Sequence, residues 1–171
     1  MKVIKPTTEN QSVRSNDVSV FLAGSIEMGS AEDWQSKLEA KLKETLDHED
    51  IVLFNPRRES WDSSWEQRET NPEFNYQVNW ELSALEMADI IFLNFLPDTK
   101  SPISLLELGK FANSGRMIVC CPDGFCRKGN VEIVCSRYNV PFYGSLDEAI
   151  GSLVTRIHKT RVSKNSFFLL P

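Results

Sequence analysis

IIFLNFLPDTKSPISLLELGKFANSGRMIVCC, residues 90–121, decides the architecture. The apolar run at 90–95 reads as a buried strand, and the polar turn LPDTK releases the chain from it. Ser101 and Pro102 then supply an N-cap and first-turn pair, so a helix opens there and runs to about Gly115. A second apolar run at 117–121 makes another strand. Strand, helix and strand in this order form a βαβ unit with parallel strands and a right-handed crossover.

The alternation extends both ways from this unit. Upstream, VSVFLA at 18–23 and IVLF at 51–54 are strand candidates. Between them, residues 30–46 show helical periodicity opened by Ser30-Ala31-Glu32-Asp33, a capping-box-like start. A helix starting at Asn71-Pro72 or nearer Asn75 runs to about Ala88. Downstream come the loop PDGFCRKGN, a helix at about 131–138, a short strand in PFY at 141–143 and a last helix opened by Ser145-Leu146-Asp147-Glu148. The expectation is one Rossmann-like α/β domain over 1–171, its parallel sheet of about five strands covered by helices on both faces. Residues 1–16 read as a polar arm and 161–171 as a tail that is polar and then ends FFLLP.

Charge and composition narrow the partners. A net charge of −5 and a pI near 5.1 argue against binding a nucleic-acid polymer, which needs clustered Lys and Arg, and leave a small ligand. No window approaches the roughly 20 apolar residues of a membrane span, and the N-terminus lacks the apolar core of a secretory signal. A cytoplasmic or nuclear location is expected. The four cysteines, Cys120, Cys121, Cys126 and Cys135, have no CxxC spacing, so buried thiols in a reducing compartment are expected rather than a metal site.

In parallel α/β sheets ligands bind beyond the C-terminal strand ends. Four loops begin there, at Gly24, Asn55, Leu96 and Pro122. Gly24 permits close backbone approach and is followed by Ser25; the polar loop NPRRESWDSSWEQRETNP offers Arg57, Arg58, Trp61 and Trp65. Any of Trp61, Trp65 and Trp80 could stack on a base or simply pack. Ser101, Ser104 and Glu107 come from the third loop and its helix, and Gly129 and Asn130 from the fourth. Glu107 leans toward the start of its helix, among apolar neighbours Ile103 and Phe111. Two readings stand: a surface pair with Lys110, or a reactive carboxylate. Glu81 and Asp89 are further carboxylates, and a pair flanking a glycosidic bond can divide nucleophile and proton-donor roles. Asp89 also fits a simple turn between helix and strand.

FLAGSI, NPRR, QVNWELSALEMADIIFL and SPISLLELGKFA, in this order and spacing, resemble the nucleoside 2-deoxyribosyltransferase family, in its nucleoside 2-deoxyribosyltransferase-like branch. The resemblance implies a flavodoxin-like sheet and cleavage of the N-glycosidic bond of a nucleoside or nucleotide, without metal or redox cofactor. It puts the nucleophile at Glu107 and a base-contacting acid at Glu81, which replaces the usual Asp. It matches Asn130 to a residue that reaches a neighbouring subunit's sugar site, implying a homo-oligomer with shared sites.

Two departures from the pattern matter. Phe21 stands where many members have a Tyr that orients the nucleophile, so other donors, with Ser25 a candidate, must hold Glu107. Ser101 stands where the transferases have an acid. It resembles instead the deoxynucleoside 5′-monophosphate N-glycosidases, where it helps bind phosphate. Those enzymes carry arginines after GSI, however, where this chain has Glu27 and Met28; a phosphate would need Arg57 or Arg58. The leading expectation is glycosyl transfer or cleavage through a glycosyl-glutamate. A non-catalytic nucleotide-binding or sensing module, and an N-glycosidase acting on a monophosphate or other N-ribosyl compound, are its rivals.

Overall fold

The computed structural model describes residues 1–8, 12–27, 31–46, 50–58 and 60–167. Its strands are β1 (Lys2–Ile4), β2 (Val18–Gly24), β3 (Ile51–Phe54), β4 (Ile90–Asn94), β5 (Met117–Cys120) and β6 (Phe142–Tyr143). Between and after them lie α1 (Trp34–Thr45), α2 (Pro72–Met87), α3 (Pro102–Phe111), α4 (Lys128–Tyr138) and α5 (Leu146–Phe167). The sheet is parallel throughout, in the order β1-β3-β2-β4-β5-β6.

The expected architecture holds, with six strands instead of about five. The added strand, Lys2–Ile4, lies in the supposed polar arm and pairs with β3 in the register Lys2↔Val52, Val3↔Leu53, Ile4↔Phe54. Without β1 the order is that of a flavodoxin-like sheet, reversing direction between β2 and β4.

Strand side chains alternate between two cores. On one face Val20, Leu22, Leu53, Phe92 and Ile118 meet Trp34, Leu38 and Leu42 of α1 and Ala149, Leu153 and Ile157 of α5. On the other, Phe21, Phe54, Leu93 and Val119 meet Ala84 and Leu85 of α2, Leu108 and Phe111 of α3, and Val131 and Cys135 of α4. Strands buried on both sides explain why the strand segments read as continuous apolar runs.

Several boundaries move. Helix α1 begins at Trp34, with Asp33 as N-cap accepting from the Ser36 N–H; the expected cap at Ser30 lies outside the described residues. Asn71 caps α2, accepting from Glu73 and Phe74, which settles that helix's start at Pro72. Helix α4 starts three residues earlier than expected, at Lys128, so Gly129 and Asn130 belong to its first turn. The supposed tail is helical through Phe167, and only its last four residues, 168–171, lie outside the described residues. No helix among the described residues is long and apolar enough to cross a membrane.

Candidate active site

Glu107 occupies the second turn of α3 and is 8 % exposed. Helix geometry aims its side chain back toward the helix start, at the C-terminal ends of β2 and β4. The surface pair with Lys110 does not form: Lys110 Nζ bonds Glu86 Oε1 on α2 at 3.0 Å. Among the described residues no donor reaches the Glu107 carboxylate. Burial, reinforced by the charge of Glu81, pushes its pKa up to about 8.

Glu81 faces it from α2. Burial pushes this carboxyl up to about 7, and a hydrogen bond from Gln77 Nε2 to Oε1 at 2.8 Å partly offsets the shift. The Glu81 charge is felt at Glu107, so the two groups are coupled, and both hold their protons more tightly than ordinary carboxyls. Gln77 was not legible as a site residue, because an amide on a polar helix carries no signal. It is 2 % exposed, its Nε2 also donates to the Pro56 carbonyl at 3.0 Å, and its Oε1 has no partner among the described residues. Asn94, 1 % exposed at the C-terminal end of β4, likewise keeps an unpartnered Nδ2. A buried polar residue ending an apolar strand was the signal for it.

Ser25 is fully buried and does not reach Glu107. Its hydroxyl accepts from the Leu96 N–H at 3.0 Å and shares hydrogen bonds with Thr99 Oγ1 at 2.9 Å and Ser101 Oγ at 2.7 Å. Ser25 therefore braces the loop before α3. Ser101 sits at the N-cap position but in left-handed backbone, and its side chain gives α3 no cap. Ser104, 4 % exposed, lies in the first turn, on the same helix face as Glu107. Gly24, at φ +142, is crowded by protein: a Cβ there would lie 2.1 Å from the Asn94 carbonyl oxygen. The close approach it permits is thus between β2 and β4.

Both arginines are engaged. Arg57 Nη2 donates to the carbonyls of Ala31 at 2.7 Å and Glu32 at 3.2 Å, and its Nε lies 3.4 Å from Asp33. Arg58 donates to Ser60 Oγ at 2.9 Å and Glu73 Oε2 at 2.8 Å and stacks 4.8 Å over the Trp65 ring. Its Nη1 and the indole N–H of Trp61 are buried without a partner among the described residues. Trp61 packs edge-on against Trp65, with centroids 5.3 Å apart. Trp80 packs instead on Phe54 and Phe21, so the position of Phe21 belongs to an aromatic cluster under α2.

Two candidates stand apart. Asp89 precedes β4, at the opposite end of the sheet, about 16 Å from the strand's C-terminal end at 3.3 Å per residue. Its Oδ2 accepts from the Ser19 N–H at 2.8 Å, Ser19 Oγ at 2.9 Å and Lys164 Nζ at 2.7 Å, a structural junction away from Glu107. Asn130 is exposed on α4. Of the cysteines, Cys120, Cys121 and Cys135 are buried, which pushes their thiols up to about 11 or 12, whereas Cys126 is exposed, against expectation.

Among solved structures, one described as a conserved protein from Enterococcus faecalis V583 is similar, with a TM-score of 0.58 and 10 % identity over 82 % of this chain and 99 % of that one. At that identity the likeness shows the fold alone. Nothing among curated proteins matches the sequence. Residues 17–125, from the start of β2 past the end of β5 and including Glu81, Ser101 and Glu107, match the family described as nucleoside 2-deoxyribosyltransferase like, and the chain belongs to that family.

Proposed function

We propose that the protein cleaves or transfers the N-glycosidic bond of a (2-deoxy)nucleoside through a glycosyl ester on Glu107. The observation that carries this reading is a carboxyl group, 8 % exposed and without a donor among the described residues, within the electrostatic reach of a second, half-buried carboxyl, Glu81, at the reversal point of the sheet. A Glu oxygen attacks C1′ as the C1′–N bond breaks, and the bond's electron pair leaves with the base. The reactive form is the minor one in which Glu81 carries the proton and Glu107, the more basic of the two, is ionised; Glu81 then protonates the departing base as Glu107 attacks. A second base or water then attacks C1′ from the opposite face and restores the Glu107 carboxylate. Trp61 and Arg58, each with an unpartnered buried N–H, line up as contacts for base or sugar. Asn130, exposed on α4, serves a neighbouring subunit's site in a homo-oligomer.

The test is to incubate the protein with a panel of nucleosides and monophosphates, with and without a second free base, and identify products by mass. Base release by the wild type and its loss in a folded Glu107→Gln variant support the reading. Equal turnover by both would sink it. One observation favours a non-catalytic nucleotide-binding module: nothing among the described residues holds Glu107 ionised. Tight nucleotide binding without base release during long incubation would decide for that module.

A further inference from the structure

Glu27 follows β2 in left-handed backbone, at φ 47, and faces Ser101, itself left-handed at φ 42. Its Oε1 accepts from the Lys100 N–H at 3.0 Å, the Ser101 N–H at 2.7 Å and Ser101 Oγ at 3.3 Å. The main-chain donors entering α3 are therefore already turned on an anion, and that anion belongs to the protein. A helix start is where a phosphate would otherwise seat. Glu107 lies on the same helix, buried and unbonded among the described residues, and points toward that start. A furanosyl ring with C1′ at the Glu107 carboxylate extends about one helical turn, roughly 5 Å, toward Ser101 and Glu27. Arg57 Nη2 is held by the carbonyls of Ala31 and Glu32, and Arg58 by Ser60 and Glu73, so what these guanidinium groups keep without a hydrogen-bond partner among the described residues is one buried N–H each, Arg57 Nε and Arg58 Nη1.

We propose that Glu27 is a specificity-determining residue: its carboxylate closes the entry of α3 to anions, so the site takes nucleosides bearing a neutral 5′ group and rejects 5′-monophosphates. This inference rests on the reading of Glu107 as the reacting group. It also answers the question that Ser101 raised in the sequence, since the hydroxyl matched to a phosphate-binding Ser is held by Ser25 and Glu27.

Glu27→Gln tests it directly, because the amide oxygen can still accept from Lys100 and Ser101 while the charge is gone. For the wild type and this variant, kcat/KM is measured for a nucleoside and its own 5′-monophosphate. The wild type should prefer the nucleoside, and the variant should shift the ratio toward the monophosphate by about tenfold or more, the scale of one charge-assisted contact. A wild type that prefers the monophosphate, or a ratio unmoved by the substitution, overturns the inference. Calorimetric binding of the same two compounds runs in parallel. If no base is released from either, the catalytic reading fails, and the ratio of the two affinities in Glu27→Gln against wild type decides the inference by the same criterion.

Discussion

Gln77 and Glu81, one turn apart on α2, are joined by a 2.8 Å hydrogen bond from the amide nitrogen to a carboxylate oxygen. The same nitrogen is tied to the Pro56 carbonyl, so the loop after β3 sets where Glu81 stands relative to Glu107. Gln77 thus acts as a positioning residue. It favours the ionised form of Glu81, against the burial that raises it.

With Glu81 near 7 and Glu107 near 8, kcat/KM for base release should be bell-shaped, its limbs belonging to the pair. Glu81→Gln removes the like charge that raises Glu107. The ascending limb should then move to lower pH and the descending limb vanish, while the maximum falls by about 10²–10⁴. Gln77→Met should move the descending limb to higher pH by up to about one unit. Profiles of both variants identical to wild type would exclude these roles.

Burial of Glu107 also makes stability depend on pH. Its folded pKa of about 8 lies above the ordinary 4.5, so its contribution is fully present below about 4.5 and is lost as pH rises through about 8. Glu107→Gln cannot ionise. Its melting temperature should exceed that of wild type by about 3 °C or more at pH 9, and the gap should close near pH 4. A gap independent of pH contradicts the assigned burial.

Asp89 should matter to the fold and not to the chemistry. Asp89→Ala removes the acceptor of three hydrogen bonds joining β2, the entry of β4 and α5, at a cost of about 2 kcal/mol in denaturant unfolding. Turnover per folded molecule should stay at the wild-type level. Loss of turnover with unchanged stability would return Asp89 to the site.

Gly24→Ala should be among the most damaging single substitutions. The added carbon would sit 2.1 Å from the Asn94 carbonyl oxygen, in a backbone conformation other residues rarely adopt. A loss of about 3 kcal/mol or more is expected, read from the urea midpoint. Near-neutral behaviour would mean that β2 and β4 separate more easily than their pairing suggests.

The parallel sheet was legible because its strands are buried on both faces and so appear as unbroken apolar runs, each separated by a helical period. Lys2–Ile4 escaped because three residues carry no period, and their strand exists only through pairing with β3. Glu107 could be found from its apolar neighbours and motif. Gln77 could not, since its importance arises from Pro56 and Glu81 arriving beside it in space. Arg57 and Arg58 looked available for a ligand because nothing local in the sequence reveals that Ala31, Glu32 and Glu73 would claim them. Asp89 followed the same rule in reverse: an acid next to a strand has two ends of the sheet to choose from, and only the direction of β4 decides.

The edges of the sheet have a consequence for life at high concentration. β1 has three residues and β6 two, whereas β3, just inside β1, is a fully buried apolar strand. An edge of two or three residues is too short to template addition of another chain. Were Lys2–Ile4 trimmed away, Ile51–Phe54 would become the rim, offering unpaired amides flanked by Val52 and Phe54. A few N-terminal residues thus act as a selvage, keeping an aggregation-prone ribbon from fraying into intermolecular contact.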